Sequence, residues 1–272
     1  MTSVVGIDDI SGIFRPDRAL LNGKIIAVIR CMKGLFEQFL CLIFPNRCSV
    51  CFVLGQTELC QKCAGKIEYL TGLLCQKCGK PEDGYFKGQL CEDCSTNDPP
   101  FKLARSVAVY DGVLKDAIHQ FKFNGRQKLS EVFGLMMLDV LIKSGIPLKY
   151  IEIIVPVPLS RQRIRSRGYN QSGLLADVIG RMIGVHVDHD RLKKTRDVRP
   201  QSELCRRERL DNVKGAFSSA DFSESNILLV DDIYTTGATV MDADRALKMA
   251  GVANVIVLTL ARAVILEGTK SP

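Results

Sequence analysis

The sequence predicts an α/β protein, a parallel sheet flanked by helices, with a small cysteine-rich domain on its N-terminal side. Three observations carry this. Short apolar, β-branched runs at residues 106–110, 151–157, 227–230 and 255–260 alternate with stretches of helical periodicity, the pattern of a sheet built from crossover units. Eight of the eleven cysteines form four C-x-x-C pairs between Cys48 and Cys94. The run 227–230 ends abruptly in Asp231-Asp232 and a hydroxyl-rich turn, at the carboxyl end of a strand, where open α/β sheets bind ligands.

From the N-terminus, residues 1–24 show little periodicity and read as a loose arm, with Pro16 and Gly23 as breaks. Residues 25–44 read as an amphipathic helix with Val28, Met32, Leu35, Phe36, Phe39 and Ile43 on one face. Arg30, Lys33, Glu37 and Gln38 argue against a membrane span, so docking on the protein's own core or on a partner is expected, with attachment to a membrane surface as the alternative. Charged residues interrupt any apolar run in residues 1–20, so no secretory signal is expected there. The cysteines therefore point to metal in a reducing setting, not to a disulfide scaffold.

Residues 45–97 hold the pairs Cys48/Cys51, Cys60/Cys63, Cys75/Cys78 and Cys91/Cys94. Each pair presents two thiolates to one metal, and two pairs complete a closed four-sulfur site of the kind structural zinc occupies. Two Zn²⁺ are expected in a double zinc ribbon. Pairing in sequence order is the simplest arrangement, and the spacing also permits an interleaved one. The apolar content between the pairs is too small to hold the segment together, so metal binding would supply its folding free energy. Basic and acidic residues nearly balance here, so the ribbon reads first as structural and second as a docking surface. Cys31, Cys41 and Cys205 read as incidental thiols.

Asn97-Asp98-Pro99-Pro100 is the expected linker into a domain spanning residues 101–264. After the run at 106–110, residues 113–121 and 129–142 read as helices, turning at Asn124-Gly125. The run 151–157 leaves through Pro156-Val157-Pro158, which constrains its exit direction. Arg163, Arg165 and Arg167 follow, then a helix through Leu174, Leu175, Val178, Ile179 and Met182. Alternate arginines would suit a strand edge; beyond a strand's carboxyl end they read better as contacts to a pyrophosphate. The charged stretch from residue 192 to 217 reads as a lid carrying Lys193, Lys194, Arg196, Gln201 and Arg209, or as a mobile surface loop. Residues 161–214 carry fourteen Lys/Arg against seven Asp/Glu, which accounts for the whole net charge of +7 and suits a polyanionic ligand. His119, His186 and His189 carry no assigned chemistry.

In the turn after residue 230, Thr235, Thr236 and Thr239 offer hydroxyls, Gly237 and Ala238 keep the backbone open, and a new helix starts, with Val240, Ala243, Ala246, Leu247 and Ala250 at helical spacing. Hydroxyls and helix N–H groups make a phosphate cradle. Asp231 and Asp232 cannot face the same phosphate, so sugar hydroxyls or the waters of a Mg²⁺ are their expected partners. Neither a Walker loop nor a G-x-G-x-x-G turn is present. The stretch resembles the signature of type I phosphoribosyltransferases, which bind 5-phosphoribosyl-1-pyrophosphate (PRPP).

Together with the four C-x-x-C pairs, Pro156-Val157-Pro158, residues 163–171 and residues 201–217, this signature is similar to the ComF family over roughly residues 40–262. The resemblance implies a type I phosphoribosyltransferase-like sheet with an N-terminal double zinc ribbon, in a bacterial cytoplasmic protein linked in competent relatives to incoming single-stranded DNA. It implies Asp231 and Asp232 at the ribose, Thr235 through Thr239 at the 5′-phosphate, and the arginines near pyrophosphate. Two readings follow. One is an enzyme that transfers phosphoribosyl from Mg²⁺-bound PRPP to a nitrogen acceptor. The other is a non-catalytic PRPP or nucleotide sensor that binds single-stranded DNA or the DNA-uptake machinery, against which only Tyr169 and Phe217 offer aromatic rings near the basic stretch. Acceptor and oligomeric state are not legible.

Overall fold

The computed structural model describes residues 47–55, 57–81, 90–195 and 215–264. The arm at 1–24, the helix at 25–44, the three incidental cysteines, and Arg196, Gln201 and Arg209 of the lid fall outside those residues. Two short helices, α1 (Gln61–Ala64) and α2 (Glu92–Asn97), lie in the cysteine-rich segment. Then come β1 (Leu103–Val109), α3 (Gly112–Phe123), α4 (Leu129–Lys143), β2 (Ile153–Pro156), α5 (Arg161–Arg167), α6 (Gln171–Ile183), β3 (Leu192–Lys194), β4 (Phe217–Ser219), β5 (Asn226–Tyr234), α7 (Ala238–Met249) and β6 (Asn254–Arg262). Among the described residues no helix is long and apolar enough to cross a membrane.

Four strands form one parallel sheet in the order β1-β6-β5-β2, flanked by helices, as the alternation of patterns predicts. Successive strand residues face opposite ways, and the core divides accordingly. Ile154, Leu228, Val230, Ile256 and Leu258 pack with Phe121, Phe133, Met137 and Ile179 of α3, α4 and α6. Ile153, Val155, Ile227, Leu229, Val255 and Val257 pack with Val240, Ala243 and Leu247 of α7 and with Phe101, Phe217 and Phe222. Helix α4 approaches α6 so closely that a Cβ on Gly134 would lie 2.5 Å from Val178 Cγ1.

Both sheet edges are covered, which blocks pairing with other chains. On β1, Leu70 donates to Val107 (3.0 Å), Val109 donates to Glu68 (2.8 Å) and Ala104 donates to Lys77 (2.7 Å), all between backbones. The cysteine-rich segment thus adds itself to the sheet. On β2, Ile154 donates to His186 and Asp188 donates to Ile154.

Two elements differ from the sequence reading. Strand β5 continues through Asp231 and Asp232 to Tyr234, because β6 keeps pairing with it (Asp231 with Thr259, Tyr234 with Arg262). The arginine run is neither a strand edge nor an open loop. It is helix α5, started by the Ser160 hydroxyl accepting from Arg163 N (3.4 Å) and ended by Gly168 in the left-handed region (φ 83°).

Candidate functional site

The carboxyl edge of β5 gathers the acidic pair, its neighbours and the turn. Asp231 and Asp232 are buried, at 7% and 5% exposure. Asp231 Oδ1 accepts from Ser172 Oγ (2.9 Å) and from Asp232 N (2.9 Å). Burial, reinforced by the Asp232 charge, pushes the Asp231 carboxyl up to about 7. Asp232 Oδ2 accepts from Gln171 Nε2 (2.7 Å) and lies 2.7 Å from Lys122 Nζ. Gln171 and Ser172 open α6, capped by the Asn170 side chain, which accepts from Ser172 N while its own Nδ2 donates to Val157 O (3.1 Å). The exit of β2, the start of α6 and the end of β5 are thereby tied into one rigid corner.

The arginines do not act as a row. Residues two apart on a helix project about 200° apart, so Arg165 points away from the face that Arg163 and Arg167 share. Arg165 is exposed, whereas Arg163 and Arg167 are half-buried. Arg167 donates to Gln171 Oε1 and lies 5.0 Å over the Phe123 ring, which places it beside the partner of Asp232. Arg163 is the second cation of that face. A cleft of about 610 Å³ at the start of α5 is lined by Ser160, Arg161, His189, Asp190, Lys193 and Lys194. Lys193 and Lys194 lie not in a loop but on β3, which pairs antiparallel with β4, and Leu192 and Phe217 of the two strands are both buried in the core on the α7 side. The three histidines are exposed and none touches the acidic pair.

The turn has the cradle form. Gly237 sits at φ 79°, a region L-residues avoid, and a Cβ there would lie 2.3 Å from the Tyr234 hydroxyl. Ala238 N donates to Thr236 Oγ1 (3.4 Å), and Thr235, Thr236 and Thr239 are half-buried around it. Helix α7 follows at once. Its buried Asp242 accepts from Gly215 N (2.8 Å), Ala216 N (2.8 Å) and Phe217 N (3.3 Å), anchoring the chain that leads into β4.

The eight cysteines gather in sequence order, Cys48, Cys51, Cys60 and Cys63 at one place, Cys75, Cys78, Cys91 and Cys94 at another, with all sulfurs of a set within 4.8 Å. All eight are free thiols, and the contacts Cys51–Cys60 and Cys78–Cys91 measure 3.6 Å. Zinc–sulfur bonds of about 2.3 Å set tetrahedral sulfurs about 3.8 Å apart, so both sets fit Zn²⁺. Backbone N–H groups brace the knuckles, Cys60 N donating to Cys48 Sγ (3.4 Å) and Cys91 N to Cys75 Sγ (3.3 Å). A hydrogen bond with Cys94 and the Arg262 guanidinium bring the Cys78 thiol down to about 5 against the effect of burial, while burial pushes Cys91 up to about 11 and the hydrogen bond with Cys78 raises Cys94, so without metal the set holds its protons unevenly.

Sequence reasoning missed Lys122, Asp242 and Arg262. Lys122 and Arg262 carry no local signal, since their partners lie in distant elements. Asp242 does carry one: a carboxylate between Val240 and Ala243 on an otherwise apolar helix face.

Comparison with known proteins adds to this geometry. Residues 39–95 match the double zinc ribbon domain. Over 227 residues the chain is 32% identical to DNA utilization protein YhgH of Escherichia coli K12, covering 81% of this chain and 99% of that one. It is 31% identical over 245 residues to competence protein ComFC of Bacillus subtilis 168, covering 84% and 97%. To competence protein F of Haemophilus influenzae it is 30% identical over 231 residues, covering 81% and 98%.

Proposed function

Since the chain belongs to the ComF family, together with competence protein ComFC and DNA utilization protein YhgH, we propose that it serves the uptake or use of DNA in the cytoplasm, and that its acidic corner binds PRPP with Mg²⁺. The ribbon at 45–97 and the unit at 101–264 would be its two working parts. The observation that carries this reading is the buried Asp231-Asp232 pair at the end of a central parallel strand, followed directly by a threonine-rich turn with Gly237 in the left-handed region. Phosphate belongs on the turn, through the threonine hydroxyls and the first N–H groups of α7. The ribose hydroxyls belong at Asp232, where they would exchange with Lys122 and Gln171. Arg163 and Arg167 face the pyrophosphate, and Lys122, once released, adds a third cation on the same side.

In the enzymatic form of this reading a nitrogen nucleophile attacks C1 of the ribose as the bond to pyrophosphate loosens. Positioning and charge neutralisation do the catalysis, so no dedicated base is required. When bound, Mg²⁺ would neutralise part of the leaving group's charge. The non-catalytic sensor is the second reading. Arg161, Arg165 and Lys193 favour it, because all three are exposed and so open to a DNA backbone.

Titration calorimetry of zinc-loaded protein with PRPP and Mg²⁺ tests the site. Saturable, Mg²⁺-dependent heat is expected, with affinity lost at least a hundredfold in Asp231→Asn/Asp232→Asn at unchanged zinc content, on the order of 3 kcal/mol. Unchanged affinity in that double variant would sink the assignment. Pyrophosphate release on addition of nitrogen acceptors separates the enzyme from the sensor.

A further inference from the structure

Tyr234 and Arg262 are the last residues of the two central strands, β5 and β6, and stand opposite each other in register. Arg262 is 7% exposed, a burial that a guanidinium tolerates only with strong partners. Its Nη1 donates to Cys78 O (2.8 Å) and its Nη2 to Cys78 Sγ (3.4 Å), and its plane lies 4.3 Å over the Tyr234 ring. Four thiolates around one Zn²⁺ leave a site with net charge about −2, which supplies the counter-charge that the guanidinium needs. On its other side Tyr234 is fixed by the edge of Phe101 (6.5 Å between centroids), and its hydroxyl packs against Gly237 of the turn. A continuous run of contacts therefore leads from a zinc ligand, through one arginine and one tyrosine, to the glycine on which the cradle turns.

We propose that Arg262 and Tyr234 are positioning residues, a strut by which the second zinc site holds the phosphate-binding turn in its binding conformation. The strut rests on the PRPP reading of that turn. It touches no reacting atom and acts by keeping Gly237 where its backbone can approach a phosphate. Guanidinium, ring and hydroxyl are the working parts: the hydroxyl is the atom of Tyr234 nearest Gly237, and an ammonium cannot replace the two-pronged arginine.

The test uses the full chain with both sites loaded, PRPP with Mg²⁺ as the probe, and zinc content and Tm measured alongside. Arg262→Met and Tyr234→Leu should weaken PRPP about tenfold while two metals per chain remain, a coupling typical of linked sites. Tyr234→Phe, which keeps the ring and removes only the atom nearest Gly237, should show a smaller loss than Tyr234→Leu. Should Arg262→Met fail to fold, Arg262→Lys keeps the charge and should show the same loss. Coupling is reciprocal, so in Co²⁺-loaded protein PRPP should shift the thiolate-to-cobalt absorption, and the shift should vanish in Arg262→Lys. Arginine variants that bind PRPP like the parent, with no cobalt shift in the parent, would overturn the strut alone. A parent that binds no PRPP overturns the PRPP reading and the strut with it.

Discussion

Of the four cysteines in the first zinc site, Cys51 is exposed and Cys60 half-buried, whereas Cys75, Cys78, Cys91 and Cys94 of the second are all buried. The spacing within the pairs is identical. The surroundings are not. Cys48 and Cys63 pack with Leu59 and Ile67 into the core on the α3, α4 and α6 side of the sheet. The second set packs with Tyr234, Ala238 and Val240 on the α7 side, against the turn. The ribbon straddles the edge of β1 and places one metal on each face. One site is buried on its Cys48 and Cys63 side and open to solvent at Cys51. The other is part of the core that shapes the candidate phosphate cradle, so a shared motif does not imply a shared task.

The sharpest way to break this comparison is to remove one ligand from each site. Cys78→Ser should release one zinc, abolish PRPP binding and lower stability by several kcal/mol, since it opens a buried metal site. Cys51→Ser should also release one zinc but leave PRPP affinity within about twofold and cost far less stability, on the order of 1 kcal/mol. Metal analysis, calorimetry and thermal unfolding on both variants decide it. Equal losses of PRPP affinity would erase the distinction.

A smaller effect is expected from Asp242, on the same side as the second site. Asp242→Ala strands three backbone N–H donors that now bond to it, a loss on the order of 3 kcal/mol. A midpoint in urea indistinguishable from the parent's would show that the chain leading into β4 is held by something else.

An effect confined to high pH concerns Asp244, fully buried on α7, whose two carboxylate oxygens have no hydrogen-bond partner. Burial pushes its carboxyl up to about 6 from an ordinary 3.8, with Lys248, Arg245 and Lys77 of the Cys75/Cys78 pair opposing. Its folded pKa exceeds its unfolded one, so its contribution is most favourable below about 4 and is lost as pH rises through about 6. Asp244→Asn should therefore gain stability relative to the parent by up to about 3 kcal/mol at pH 8 and little at pH 4. A pH-independent difference between the two proteins would mean that the charge at Asp244 does not matter.

Some elements are legible without coordinates because their cause is local. The core strands are written as β-branched runs and α7 as apolar positions at helical spacing, whereas α5 escapes the sequence reading because its alternate arginines mask the local signals of Ser160 and Gly168 at its two ends. The end of β5 is misread for a physical reason: hydropathy stops at Val230, while hydrogen bonding to β6 goes on to Tyr234. Within the site, Asp231, Asp232 and the turn announce themselves as a contiguous motif. Lys122 reaches the acids from α3 with nothing in its own neighbourhood to mark it, and Gln171 and Ser172, at and just past the end of the marked stretch 163–171, carry no local sign that they face the acids.

By itself the sequence determined the zinc ligands, because a C-x-x-C pair sets its own geometry within four residues, and the acidic strand end with its threonine turn, because those atoms are covalent neighbours. Only the tertiary structure decided which sheet face each metal joins, and that Arg262, 184 residues from Cys78, meets its sulfur and carbonyl. Such meetings depend on strand order and register. The side-chain period of a strand is two residues, so a slip of one would turn Arg262 and Tyr234 to the opposite face and separate the second zinc site from the turn.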